Sequence, residues 1–180
     1  GENTVNEAMV RLAAAMKECS GCKEKTWMAT EPGEMERLKA FRHAIPESVN
    51  MLIDQRRKVD PGITKLGTDM AVPDPELDNL LAMYHAGLDK AGFEYAMFGH
   101  IGNNHLHVNI LPRTLAEYES GKNLTLEWAR QAISAGGTVS AEHGIGKLKA
   151  SLLSEMYGKQ GISEMRALKR TFDPAGILNQ

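Results

Sequence analysis

Three of the six histidines in this 180-residue chain fall within eight positions, in the stretch FGHIGNNHLHVNIL at residues 98–111. Imidazoles crowd in this way where they hold a metal, carry protons or decorate a hairpin. Strand alternation narrows the choice. In HLHVNIL, residues His105, His107, Asn109 and Leu111 share one face, and Leu106, Val108 and Ile110 share the other. The apolar face must pack, which leaves the His/Asn face to meet something polar. His100 stands on the preceding strand-like run, and the Gly102-Asn103-Asn104 turn folds it back toward His107. Imidazoles on paired strands can bring nitrogens to the roughly 4 Å at which they share one ion through bonds of about 2 Å.

A second stretch, GGTVSAEHGIGK at residues 136–147, has the same character. Glu142 and His143 close a predicted strand just before glycines that permit tight turns and close backbone approach. At a strand end both side chains can turn into one pocket. The carboxylate could then complete a His/His/Glu metal set and leave His143 free to move protons; on a plain loop the pair would simply be exposed. GIGK is not a phosphate loop, because the Walker pattern needs glycine where Ala141 stands and a hydroxyl where Leu148 stands. Two cations, Arg42 in KAFRHAI and Lys65 in GITKLGT, are ordinary surface charges unless the fold carries them to the histidines. Cys19 and Cys22 form a CxxC with no second pair, and read as two thiols at a surface turn rather than a redox or zinc motif.

The elements that must position these residues follow from periodicity and breakers. NEAMVRLAAAMKEC has helical spacing, with Asn6 as N-cap and Gly21 as the stop, and TWMAT is a short β-prone run. EPGEMERLKAFRHAI reads as a helix that Pro46 ends or bends. GITKLGTDMAVP is strand-like. PELDNLLAMYHAGLDKAG is an amphipathic helix with Pro75 at its start and Gly92 just past its end. FEYAMFGHIG and HLHVNILP are two strands of a hairpin. A long helix, EYESGKNLTLEWARQAISA, follows, then a strand TVSAE, the HGIGK turn, and helical segments to the end. This order predicts one α+β domain, a mostly antiparallel sheet covered by helices.

Composition excludes several functions. Hydrophobic residues make up 42% and charged residues 24%, an ordinary globular mix. With 21 basic and 23 acidic residues the net charge is −2, so there is no basic field for nucleic acid. The one dense basic cluster, Arg56-Arg57-Lys58, reads as a solvated helix end. No apolar run reaches the roughly 18–20 residues of a membrane span, and no signal peptide opens the sequence. The simplest compartment is the cytoplasm, with a peripheral membrane position open to a longer protein.

Taken together, the motifs are familiar. GHIGNNHLHVN resembles the GHxGxxNLHxN stretch in the C-terminal substrate (cap) domain of FAD-linked D-2-hydroxyacid dehydrogenases. That group includes D-lactate dehydrogenases, the glycolate oxidase flavin subunit and D-2-hydroxyglutarate dehydrogenase, within the vanillyl-alcohol-oxidase flavoprotein superfamily. SAEHGIGKLK resembles its second signature, MRALKRTFDPAGILN its C-terminal close, and AFRHAIPES and ITKLGTDMAVP its earlier Arg and Lys segments, from about residue 27 to the end. The resemblance implies a ferredoxin-like cap domain in which His100, His107 and Glu142 ligate a divalent metal, expected to be zinc. It further implies His143 as general base, Arg42 and Lys65 on the substrate carboxylate, and Asn109 hydrogen-bonding near it. The implied partners are a small 2-hydroxycarboxylate, the family's FAD-binding domain, and an electron acceptor, of which an iron–sulfur protein is one class. The FAD-binding domain is expected to be absent from residues 1–180, so this fragment should carry metal and substrate residues, bind little flavin and not turn over alone.

Position 105 is histidine where the family usually has asparagine, Asn103-Asn104 replace Asp-Gly, and Pro46 stands where some members place a substrate-contacting hydroxyl. His105 could add to the metal shell or tune substrate choice. Two rivals use the same side chains: a self-contained zinc hydrolase and a non-catalytic metal-binding module. A sister flavoprotein branch, the alkyl-glycerone-phosphate synthase type, tends to carry histidine where Glu142 stands, so Glu142 favours the dehydrogenases.

Overall fold

The structure, a computed structural model, describes residues 2–18, 21, 26–147 and 149–179. Cys19 and Cys22 lie outside the described residues. The chain divides into two compact units, residues 1–45 and 46–180. The first contains helix α1 (Glu2–Glu18) and the opening half of α2 (Pro32–Val59). Two expectations fail there. Asn6 is inside α1 rather than at its cap, because the helix already begins at Glu2. TWMAT is irregular: β-prone residues form a strand only with a partner ladder, and Trp27 instead packs its ring against Phe41 (centroids 6.1 Å apart) and under Arg37.

Pro46 neither ends nor visibly divides α2, which continues to Val59. A mid-helix proline forfeits one hydrogen bond and crowds the preceding turn, at about 3 kcal/mol. The second half of α2 is held by tertiary contacts that offset this. Val49 and Ile53 are buried against Leu111, Ala96 and Phe98. Arg56 is no solvated helix end either: it donates to the Leu111 carbonyl and to Glu94 Oε2.

The second unit is built on a three-stranded antiparallel sheet of β1 (Leu66–Gly67), β2 (Tyr95–His100) and β3 (His105–Ile110) in the order β1-β3-β2. The predicted hairpin is present. A short 3-10 turn, Ile101–Asn103, and Asn104 in the left-handed region (φ 50°) connect β2 to β3. The register pairs His100 with His105, Phe98 with His107 and Ala96 with Asn109. The direct cross-strand neighbour of His100 is therefore His105, not His107. The strand predicted at TVSAE is reduced to one bridge, Thr138 with Ala71, although the Ala141 amide still reaches the Asp69 carbonyl.

The two faces of the sheet differ as alternation requires. Leu106, Val108 and Ile110 enter the main core with Met70, Tyr84, Leu88 and Trp128. That core is covered by α3 (Leu77–Ala91), α4 (Leu115–Ser134) and α5 (Ala150–Phe172). A 3-10 turn containing Pro75 opens α3, and Gly92 closes it at φ 65°. Thr114 caps α4 by accepting from the Glu117 amide. On the opposite face, α2 covers only the end near Leu111, Ala96 and Phe98, which leaves the end bearing His100, His105 and His107 to the loop of residues 139–147. Among the described residues no helix is long and apolar enough to cross a membrane.

Candidate metal and substrate site

Four imidazoles converge on one oxygen. Glu142 Oε1 lies 3.1 Å from His107 Nε2, 3.3 Å from His143 Nε2, 3.5 Å from His100 Nε2 and 3.9 Å from His105 Nδ1. β3 supplies His105 and His107, β2 supplies His100, and the loop supplies Glu142 and His143. Just after these contacts Gly144 and Gly146 adopt φ 72° and 56°, which side-chain-bearing residues rarely do. The hairpin closes tightly because Gly99 has no Cβ; one there would meet the His105 carbonyl oxygen at 2.4 Å.

The loop is anchored from below by a residue that carries no local signal in the sequence. Asp69 is fully buried and accepts from Ser140 Oγ (3.1 Å), from the amides of His143 (3.0 Å) and Glu142 (3.4 Å), and from His105 Nε2 (2.9 Å). Burial alone would raise its carboxyl. The donors from His143, Ser140 and Glu142 outweigh that, with the Lys149 charge, and hold it below the usual carboxylate value. Thr68, beside it, pins β3 by accepting from the Val108 amide, while its backbone carbonyl faces His107 Nδ1 at 2.9 Å.

That last contact decides what the cluster can hold. A carbonyl only accepts, so His107 Nδ1 must carry the proton. A neutral His107 then aims a bare lone pair from Nε2 at a carboxylate oxygen 3.1 Å away. Two acceptors do not stay at that distance without a cation between them: either a second proton on His107 or a metal ion. Four imidazoles also oversubscribe one oxygen if all must donate to it. Bonds of about 2.1 Å to a common ion place neighbouring ligand atoms about 3.0–3.4 Å apart, close to the separations of His107, His143 and His100 from Glu142 Oε1. The donor set therefore fits a divalent cation. His107, Glu142 and His143 bring ligand atoms within 4.8 Å of one another, as do Asp69, His105 and His107.

The electrostatics agree. Contact with His107 holds the Glu142 carboxyl below its ordinary value, against some desolvation and with help from His100, His105 and His143. Burial, then His107, pulls His105 below the ordinary imidazole value, against Asp69 and Glu142. The site has a dry floor and an open mouth: the side chains of Asp69 and His105 are 0% and 4% exposed, those of Glu142 and His143 40% and 63%. A ligand can enter from the His143 side.

The other sequence-predicted residues sit less simply. Asn109 is buried on the same face of β3, and its Nδ2 has no hydrogen-bond partner. Lys65 directly precedes β1, where Gly67 pairs with Asn109, and its Nζ donates to Asn50 Oδ1 at 2.8 Å. Arg42 belongs to the first compact unit, not to the unit that carries the histidines. Asp69, Thr68 and Ser140 belong to the site, though the sequence patterns single out none of them. The only available signal was the alternation around Asp69, which a lone acidic residue in a strand-like run does not make informative.

The family described as FAD linked oxidases, C-terminal domain, matches residues 1–180. The chain belongs to this family. Among FAD-linked oxidase relatives, glycolate oxidase subunit GlcD of Bacillus subtilis is 31% identical over 160 residues, 88% of this chain and 33% of the relative. The mitochondrial D-lactate dehydrogenase [cytochrome] 1 of Saccharomyces cerevisiae is 27% identical over 177 residues, 98% and 29% of the two chains. D-2-hydroxyglutarate dehydrogenase of Stutzerimonas stutzeri is 27% identical over 178 residues, 94% and 36%. The chain thus spans about a third of the length of these curated relatives. These matches establish an FAD-linked oxidoreductase family with D-2-hydroxyacid dehydrogenases among its members.

Proposed function

We propose that this chain is the substrate- and metal-binding part of a flavin-dependent dehydrogenase that oxidises a D-2-hydroxy acid of the lactate, glycolate or 2-hydroxyglutarate class to the 2-oxo acid. The observation that carries this reading is the unpartnered, buried Nδ2 of Asn109 on the strand face that also turns His105 and His107 toward Glu142. A buried donor without an acceptor is costly in the free protein and is satisfied by a ligand oxygen. A carboxylate or hydroxyl of the substrate would supply one on the face of β3 that Asn109 shares with His107.

In this reading His100, His107 and Glu142 hold a divalent ion, zinc by the nitrogen-rich character of the set. The ion supplies positive charge that makes a neighbouring 2-hydroxyl easier to deprotonate. His143, the most exposed imidazole of the cluster, takes that proton on Nε2. FAD, which the FAD-binding domain of the complete protein would hold, would supply the acceptor for the C2 hydrogen and its electron pair. Carbon and oxygen are left doubly bonded. Lys65 pairs with the substrate carboxylate, a group that the planar fork of Arg42 also suits chemically. Lys65 must exchange Asn50 for that partner. A cytoplasmic location and an electron-accepting partner, an iron–sulfur protein being one class, belong to the same proposal. Family membership weighs against a stand-alone hydrolase.

The test is the complete flavoprotein with FAD and metal bound, assayed with a panel of D- and L-2-hydroxy acids and an artificial electron acceptor. Oxidation of one or more D-acids with little turnover of their L-enantiomers is expected. Failure to oxidise any of them would sink the reading.

A further inference from the structure

His105 lies between two carboxylates, and its protonation pattern follows from which of them it must serve. Asp69 Oδ1 is 2.9 Å from His105 Nε2, and every other polar group on Asp69 donates to it: Ser140 Oγ and the amides of Glu142 and His143. Nε2 is therefore the protonated nitrogen. A neutral ring then presents the bare lone pair of Nδ1 on its other side, toward Glu142 Oε1 at 3.9 Å. His107 has the same logic reversed, its Nδ1 proton given to Thr68 and its Nε2 lone pair facing the same oxygen. Two buried imidazoles thus have their protons committed away from the centre and their lone pairs turned into it.

We propose that His105 is an additional ligand of the ion, through Nδ1, and that Asp69 is the positioning residue that holds its ring in the ligating tautomer. The proposal rests on the metal-binding reading above, though not on the identity of the acid. A separation of 3.9 Å corresponds to about 135° at an ion with bonds of about 2.1 Å, inside the range between neighbouring and opposite vertices. A carboxylate behind a ligating imidazole is the usual outer-shell partner. Asp69 is suited to it, being fully buried with its loop and strand contacts already made. Where the family usually has asparagine, this chain would then have three imidazoles and one carboxylate. That set selects zinc, cobalt or nickel over magnesium, calcium or manganese more strongly than two imidazoles and a carboxylate.

The experiment loads the purified chain with Zn²⁺ and counts imidazoles around the ion by X-ray absorption. It also measures affinities for Zn²⁺ and Mn²⁺ by competition with a chelator, in the unmutated chain, His105→Asn, Asp69→Asn, His107→Ala and Glu142→Ala. Three imidazoles per zinc are expected in the unmutated chain and two in His105→Asn, whose Zn²⁺ affinity falls at least about 100-fold while its Mn²⁺ affinity falls less than about 3-fold. Asp69→Asn is expected to keep three imidazoles and lose about 10- to 100-fold in Zn²⁺ affinity. Two imidazoles in the unmutated chain would overturn the proposal without any variant having to fold. So would two zinc ions per chain with one lost in His105→Asn, since that outcome places a separate ion between Asp69 and His105. If His107→Ala and Glu142→Ala keep stoichiometric zinc, the underlying metal reading fails; if they lose it and His105→Asn does not weaken binding, only the role of His105 fails.

Discussion

At the scale of single residues, the cluster divides labour between groups that differ only in where their second nitrogen is tied. His107 is fixed by the Thr68 carbonyl and His105 by Asp69, whereas the imidazole of His143 stands largely in solvent. Removing a fixed member should remove the ion, and removing His143 should not. In the complete enzyme, His107→Ala and Glu142→Ala are expected to lose stoichiometric metal, measured by elemental analysis after gel filtration. His143→Ala is expected to retain it and lose about 10²–10⁴ in kcat, the range for a missing proton acceptor. Stoichiometric metal in both of the first two variants would refute the ligand assignment.

At the scale of elements, α3 and α4 pack through aromatic and glycine contacts whose energetics have a definite sign. Tyr84 and Trp128 meet edge to face with centroids 4.9 Å apart, and Gly87 lies under the indole. In an open helix Gly→Ala gains about 1 kcal/mol. Here the added methyl would sit 2.9 Å from Trp128 Nε1, an overpacking that costs about 1–3 kcal/mol. Gly87→Ala should therefore destabilise, by up to about 2 kcal/mol in urea unfolding; a gain would show that the helices part more easily than their packing suggests. Tyr84 gives a pH signature. Its hydroxyl is buried and approaches Thr68 without closing a hydrogen bond, and burial pushes the phenol from 10.0 up to about 12. The unfolded chain ionises first, so this stabilisation is complete below pH 10 and lost as pH rises through 12. The loss should reach about 1.4 kcal/mol by pH 11. Tyr84→Phe should abolish that component while changing stability at pH 7 by less than about 1 kcal/mol, as unfolding of both proteins at pH 7 and 11 would show.

The elements also show which parts of the fold were legible. Alternation in HLHVNIL and the helix signals Pro75 and Gly92 act locally, so the hairpin, the chemistry-bearing face and α3 could be read directly. What escaped depends on distant partners. Nothing near Pro46 announces that Val49, Ile53 and Arg56 will hold the helix beyond it. Asp69 becomes the keystone of the site only because residues 140–143 arrive from more than seventy positions away. TWMAT and TVSAE have strand composition, yet a strand needs a free edge of the right length. For TVSAE the pairing is a single bridge, Thr138 with Ala71.

At the scale of the whole molecule, the second compact unit holds every member of the cluster, while Arg42 belongs to the first. A chain beginning at Pro46 should therefore bind zinc in the same stoichiometry as the complete chain, and would lack only the proposed contribution of Arg42 to carboxylate affinity. Calorimetry with a 2-hydroxy acid, on complete proteins carrying Arg42 or Arg42→Ala, measures that contribution. Unchanged affinity would remove Arg42 from the site. The central place of β3 has a kinetic consequence as well. His105 and His107 stand on the central strand of the sheet, the kind of position whose amides are expected to exchange slowly. Glu142 stands on a loop moored by one backbone bond and the Asp69 carboxylate. A metal ion bound as proposed would thus be gripped by a fixed jaw and a hinged one, and its residence time would be set by how often the hinged jaw swings away. In hydrogen exchange, the amides of Glu142 and His143 should exchange faster than those of β3 in the apo chain and slow markedly on adding zinc, with metal dissociation keeping pace with their opening.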